Sequence, residues 1–430
     1  GGITLPASSA GTLALAAATG STLTVSSTQI TGTSVLTIGS GTYLGKVVLA
    51  GDAATKSTTS YSGATSVTSG ATLDIKFDGS PNFNSTYSGA GSIIIEPLTT
   101  GGTMLLGSTG STLDLPIYLF NGVGGTRKFA DGFASITIGS SSAGNLGVTG
   151  SATFTDSVTL LSGGNITINS GASVATNQAS GILVVAATGN FLNLAGASAL
   201  QTTDSGSTDR WIVYTASPAN ANFGSSATLV SGNKAFWGST YSSLAPSSSV
   251  MIAATGNRYV FASDGVVTVT TTDASKRYGN IVNIGSNYTV TNGSLNAVTS
   301  GAYIANTVSD VLTTLPTLSA ASNAAADTQA SVGTYAITAA NAVGGVGLSI
   351  SYTNTGVLTV NPATITLTLL GTKVYDGNAT FNARSNNPNV TVTGLANGDE
   401  RLREFRTERS EQGLIRLEVV NRLIEARGQR

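Results

Sequence analysis

One short phrase recurs along the first half of this chain and limits what the chain can fold into. It reads Gly20-Ser21-Thr22-Leu23-Thr24-Val25, Gly70-Ala71-Thr72-Leu73-Asp74-Ile75, Gly110-Ser111-Thr112-Leu113-Asp114-Leu115 and Gly164-Asn165-Ile166-Thr167-Ile168. Apolar residues two positions apart share one face of a strand, and the Gly, Ser or Asn that follows is turn chemistry. Strands this short cannot bury a core alone, whereas coil stacked on coil builds a continuous one. The pattern predicts a parallel β-helix over 1–205, with aliphatic residues inside and Thr, Ser and Asp outside. The competing reading is a β-sandwich of hairpins. Only 9 prolines in 430 residues and an irregular glycine spacing weigh against it.

Composition narrows the class further. Charged residues make up 10% of the chain, well under the roughly 25% of an average globular protein. Such low charge goes with membranes or fibres, yet no apolar run reaches the roughly 18 residues of a spanning helix. Disorder needs low hydrophobicity together with high net charge, and 40% hydrophobic content with a net charge of −1 excludes it. The same near-zero charge argues against nucleic acid, whose binding depends on a basic stripe. The absence of cysteine has two readings: a large protein that needs no staples, or an exported chain that stays unbridged in an oxidising compartment. The chain opens Gly1-Gly2-Ile3 inside a strand-like pattern, without Met or a signal segment, and is expected to be an internal fragment.

The residues also carry a family resemblance. Thr59-Ser60-Tyr61-Ser62-Gly63-Ala64-Thr65-Ser66-Val67-Thr68-Ser69-Gly70-Ala71-Thr72-Leu73 resembles the repeat of autotransporter passengers. Gly163-Gly164-Asn165-Ile166-Thr167-Ile168 is similar to the repeat of filamentous-haemagglutinin-like exoproteins exported by two-partner secretion. Between 206 and 265 the texture changes, and Trp211, Tyr214, Phe223, Phe236, Trp237, Tyr241, Tyr259 and Phe261 gather. Bulky rings are suited to covering the open end of a solenoid. The alternative is a carbohydrate-binding platform, for which Trp211, Trp237 and Tyr241 are the candidate contact residues. The order Trp211-Ile212-Val213-Tyr214, Phe236-Trp237-Gly238 and Asn257-Arg258-Tyr259 resembles the segment that follows the β-helix in these exoproteins.

Two modules follow. Val266-Val267-Thr268-Val269-Thr270 alternates as a strand does and leads to Lys276-Arg277-Tyr278-Gly279, then Gly333-Thr334-Tyr335 and Val357-Leu358-Thr359-Val360-Asn361-Pro362. This set resembles the MBG domain, an Ig-like β-sandwich, over 266–362, and short strands with Gly/Asn turns every ten residues or so agree with a sandwich independently. Lys373-Val374-Tyr375-Asp376-Gly377 looks like the opening of a YDG domain, truncated at 363–398. Its Asp-Gly is turn chemistry.

From Asp399 the composition breaks. Of the last 32 residues 15 are charged, against 26 of the preceding 398. Leu414, Leu417, Val420 and Ile424 have helical spacing. Residues 399–430 are therefore read either as an amphipathic helix or as the product of a frameshift that overwrote the module. The predicted fold is all-β: a right-handed parallel β-helix, Ig-like β-sandwich modules, and a short helical or disordered tail.

Catalytic chemistry has little to work with. Without His or Cys there is no Ser-His-Asp triad, thiolate nucleophile or zinc–thiolate site, and no cofactor or metal site is expected. Paired carboxylates remain: Asp74 with Asp78 and Asp204 with Asp209, read as solvated strand-edge or turn residues. A β-helical polysaccharide-modifying enzyme would need Asp74, Asp78, Asp114 and Asp131 to converge on one face. The resemblance implies a non-enzymatic adhesin on the surface of a Gram-negative bacterium or secreted from it. It would pass through an outer-membrane transporter barrel and bind host or neighbouring-cell surface ligands, carbohydrate among them.

Overall fold

The computed structural model describes residues 3–4, 12–26, 30–31, 35–39, 41–51, 64–80, 83, 86–122, 127–203, 209–224, 227–232, 234–291, 302, 311–345, 347–364, 366–369, 390–393, 406–409 and 415–418. The chain divides into two compact units. The first comprises 1–267 with 292–313 and 343–350; the second comprises 268–291, 314–342 and 351–430.

The first unit is a parallel β-helix. Its principal sheet has ten strands, stacked from Thr22–Ser26 through Lys46–Gly51, Thr72–Phe77, Ser92–Pro97, Ser135–Ser140, Val158–Ser162, Ile182–Ala187 and Arg210–Thr215 to Arg258–Phe261 and Ala235–Phe236. Every recorded pairing in it is parallel. The coils that begin at Ser135, Val158 and Ile182 also give a strand to each of two further stacks. In successive coils Leu146–Val148, Ile166–Ile168 and Phe191–Asn193 form one of these, and Ser151–Phe154, Ser173–Thr176 and Leu200–Thr202 form the other. Earlier coils supply Thr12–Leu15, Val35–Ile38, Thr65–Val67 and Tyr87–Gly89 to a parallel stack of their own.

The repeated phrase makes this fold because its two apolar positions fall in the same columns coil after coil. One column runs Val25, Leu49, Ile75, Ile95, Ile138, Leu160, Val185, Val213 and Tyr259 in direct register. All nine are buried. A fully buried aliphatic side chain contributes roughly 1.5–3 kcal/mol, and none of these short strands could bury its own residues without the coils on either side.

Corners are tied by side-chain amides. The Asn165 N–H donates to Asn145 Oδ1 at 2.8 Å, and the Asn190 N–H donates to Asn165 Oδ1 at 2.7 Å. Asn165 therefore joins three coils at one corner. Asn165→Ala removes the acceptor of a part-buried N–H and is expected to cost about 1–2 kcal/mol. Urea unfolding followed by tryptophan fluorescence measures it, and an unchanged midpoint would mean that the corner ladder contributes nothing.

The β-helix does not stop at 205. Arg210–Thr215 and Arg258–Phe261 continue the principal sheet in parallel register, so the aromatic-rich segment supplies further coils instead of a separate cap. Trp211, Val213, Tyr259 and Phe261 fill the interior. The opposite faces of these strands are covered as well. Val184, Ala186, Ile212, Tyr214, Phe236 and Val260 form a second buried cluster with Leu244 and Met251. Met251 lies on the short helix Ser249–Ala253, whose N-cap Ser248 accepts from the Met251 N–H. The Tyr214 hydroxyl donates to the Leu244 carbonyl at 2.7 Å and fastens this excursion to the sheet.

The second unit is also β. Thr317–Ala320, Gly333–Ala340, Val357–Asn361 and Ala274–Arg277 make a four-stranded sheet. Its pairings are antiparallel except between Ala274–Arg277 and Val357–Asn361, which run parallel. Tyr288–Thr291 pairs antiparallel with 268–271 in a further sheet. Two small, mostly antiparallel sheets are the elements an Ig-like sandwich is built from. Ile284, Ala320, Ala324, Ala325, Ala330, Ile337, Leu358 and Val360 form a buried core, with Tyr278 and Tyr335 packed against it.

Thr366–Leu369 pairs antiparallel with Val390–Thr393. The Tyr375-Asp376-Gly377 corner, Tyr61 and Asp204 lie outside the described residues. In the tail, Ile415–Glu418 is a strand antiparallel to Arg406–Arg409, where the spacing of Leu414 to Ile424 predicts helix. The same letters explain the difference: Ile415-Arg416-Leu417-Glu418-Val419 also alternates with period two, and an apolar run this short fits either structure.

Candidate functional site

The aromatic candidates are built into the interior. Trp211 stacks in register on Leu183 and meets the Tyr259 ring edge-on at 5.0 Å. It is 3% exposed. Trp237 is equally buried, tilted against Phe261 at 4.5 Å. Gly347, at φ +74°, lies so close to the Trp237 backbone that a Cβ there would strike the Trp237 carbonyl. Tyr241 is half-buried and edge-on to Tyr214 at 5.4 Å. A sugar-binding platform needs exposed ring faces, and neither tryptophan offers one. The carbohydrate reading of Trp211 and Trp237 is corrected accordingly: their rings are buried against Tyr259 and Phe261.

The carboxylates are held by separate partners. Asp78 accepts from the Leu98 and Thr99 N–H groups, both at 3.1 Å, and from the Thr99 hydroxyl. Asp114 accepts from the Gly110 and Ser111 N–H groups and from the Ser111 and Ser80 hydroxyls. Asp131 sits exposed in a turn. Asp74, expected to be solvated, is instead fully buried on the outward side of its strand and pairs with Lys46 Nζ at 2.5 Å. Asp209 is buried as well. Among the described residues no three acidic side chains come together as a group that could hold a metal ion.

Asp74 belongs to a charge ladder the sequence did not reveal. Lys76 Nζ lies 4.0 Å from Asp74 and 2.6 Å from Glu96, so Lys46, Asp74, Lys76 and Glu96 alternate in sign across three neighbouring strands. Burial, reinforced by the charge of Glu96, lifts the Asp74 carboxyl above the ordinary aspartate value despite its lysine partners. Burial also works against the Glu96 charge, but Lys76 and Ser140 outweigh it and hold that carboxyl low. The ladder pairs each lysine with an acid and fastens three strands together. Its sequence signal is a charged residue at outward strand positions of successive coils, readable only once the coil register is known.

Asp114 carries a pH dependence of defined sign. Burial opposes its charge, yet the Ser111 hydroxyl, the Gly110 and Ser111 N–H groups and the Ser80 hydroxyl together hold its pKa below 3.8. Its stabilisation is complete above the unfolded-state value and is lost as pH falls through the lower folded one. Asp114→Ala is expected to cost roughly 1–3 kcal/mol at neutral pH. The gap from wild type should shrink only below about pH 4, near the unfolded aspartate value; a gap that stays constant down to pH 2 would contradict the assignment.

A cavity of about 320 Å³ opens where two coils begin, lined by Leu200, Gln201, Thr202, Asp209, Trp211, Gly256 and Asn257. Asn257 Oδ1 accepts from the Trp211 backbone N–H at 3.0 Å. The cavity walls carry one carboxyl, that of Asp209, and one hydroxyl, that of Thr202. No helix among the described residues is long and apolar enough to cross a membrane. Comparison with known protein families, with curated proteins and with solved structures finds no match to this chain.

Proposed function

We propose that this chain is part of a large secreted or surface-anchored bacterial exoprotein, in which it serves as a structural stalk and contributes adhesion through many weak surface contacts. The observation that carries this reading is the unbroken parallel stack of the principal sheet, whose column from Val25 to Tyr259 is buried at every step. Nine steps of about 4.8 Å make that sheet roughly 43 Å long, the dimension of a spacer. One outward row is mostly hydroxyl, with Thr22, Thr72, Ser92 and Ser135 beside Lys46. A hydroxyl-rich row suits repeated weak contact, which becomes useful only through avidity. The resemblance to haemagglutinin-like exoproteins with MBG and YDG modules supports the same reading, and from it come the proposed surface location and outer-membrane transporter.

The test displays residues 1–430 at graded density on a bacterium lacking adhesins and measures attachment to epithelial cells under flow. Attachment is expected to rise more steeply than linearly with density and to withstand any single surface substitution. Linear dependence, loss through one substitution, or depolymerisation of a polysaccharide by the purified chain would each contradict the proposal.

A further inference from the structure

Two arginines outside every feature above are buried without an acid. Arg210 and Arg258 begin adjacent strands of the principal sheet, in the register Ile182↔Arg210 and Ile212↔Arg258. Their neighbours Trp211 and Tyr259 point inward, so both arginines point outward, beneath the excursion that carries the helix Ser249–Ala253. They are 5% and 8% exposed. Among the described residues no carboxylate lies within ion-pair distance of either. Arg210 Nη1 donates to the Ala254 carbonyl and Arg258 Nη2 to the Thr255 carbonyl. Lys234 Nζ donates to the same Thr255 carbonyl at 3.0 Å. Three cations thus share two carbonyl oxygens at the exit of a five-residue helix.

The donor count does not close. A guanidinium has five N–H donors, yet among the described residues Arg210 and Arg258 have one acceptor each. Among the described residues Arg258 Nε is buried with no acceptor, and the face of Phe236 lies 4.5 Å from the guanidinium carbon. Burial, with the charge of Arg210 added, pulls the Arg258 pKa down, and burial does the same to Arg210. Two like charges taken out of water are costly unless something of opposite sign joins them. Guanidinium forks match an oxyanion two bonds at a time. So little of either side chain reaches solvent that the partner must be compact.

We propose that Arg210 and Arg258, with Lys234 at the rim, hold a small inorganic oxyanion of the sulfate or phosphate class, which pins the 237–257 excursion to the β-helix. The test is thermal unfolding of the full chain, dialysed into chloride and titrated with sulfate or phosphate from 0.1 to about 10 mM at constant ionic strength. A saturable rise in midpoint follows from ligand linkage, whereas solute exclusion gives a small unsaturating one. The rise is expected for wild type, to disappear in Arg258→Met, and to need at least several-fold more anion in Lys234→Gln, whose side chain is not part of the buried core. Arg258→Met itself should remain folded in chloride, because the methionine keeps the contact with Phe236 and removes an uncompensated charge. Should that variant not fold, Lys234→Gln decides alone. No saturable rise in wild type, a rise unaltered in the variants, or a response to a sulfated polysaccharide with none to the inorganic ions would overturn the proposal.

Discussion

Gly139→Val is expected to destabilise the first unit by about 3–5 kcal/mol, a large share of the roughly 5–15 kcal/mol that holds a domain together. Gly139 sits near the end of strand Ser135–Ser140 at φ +90°. A side chain there would run into the Leu161 carbonyl of the next coil and come within 2.6 Å of Met104 Cε. Two costs therefore add: a strained backbone, about 1–3 kcal/mol, and overpacking of the interior, about 1–3 kcal/mol. Both tryptophans, Trp211 and Trp237, lie in the first unit. Urea unfolding followed by tryptophan fluorescence thus reports that unit. A midpoint equal to wild type would show that coil 135–157 does not press on the coils beside it as described.

Tyr259→Ala is the second large effect, about 3–5 kcal/mol. The ring is fully buried and touches Trp211 at 5.0 Å, Phe223 at 4.9 Å and Phe261 at 6.1 Å. Its hydroxyl donates to the Leu229 carbonyl at 2.8 Å. Tyr259→Phe keeps the packing and loses that bond, so about 0.5–1.5 kcal/mol is expected. The pair of variants separates two views of the aromatic segment. If the rings form an interior, alanine lowers the unfolding midpoint; if they form a ligand platform, the midpoint holds and glycan binding falls.

The β-helix was legible because its signal is local and repeated. Leu73 and Ile75, Leu113 and Leu115, and Ile166 and Ile168 are all buried strand residues, as the i, i+2 phrase requires. The phrase fails where strands are covered on both sides. Arg210–Thr215 is buried at all six positions, so alternation vanishes from Arg210-Trp211-Ile212-Val213-Tyr214-Thr215, and the stretch reads as a cap. Nothing local announces the 237–257 layer that covers it. Long-range pairs were illegible for a related reason. Lys46 and Asp74, or Arg210 and Arg258, meet only through coil register, and coils of unequal length conceal it. At Asp74 the expectation of a solvated carboxylate failed because the neighbouring strand supplies Lys46, which pairs with it and lets it be buried. The tail shows the opposite limit, an apolar run too short for its period to decide between helix and strand.

The parallel coil register carries the whole account, and cysteine pairs test it most directly because the chain has no cysteine of its own. Ser92 and Ser135 are register partners on adjacent strands, with hydroxyl oxygens 3.2 Å apart. The measurement is mild oxidation of a Ser92→Cys, Ser135→Cys double variant, followed by proteolysis and mass spectrometry of the linked peptides. A second variant, Ser92→Cys with Ser157→Cys, places the thiols two strands apart, about 10 Å, beyond the reach of a disulfide. The prediction is rapid, intramolecular linkage of the first pair and none of the second. Failure of the 92–135 pair to link, or equal linkage of 92 with 157, would contradict the stacked parallel coils and the rigid stalk proposed from them.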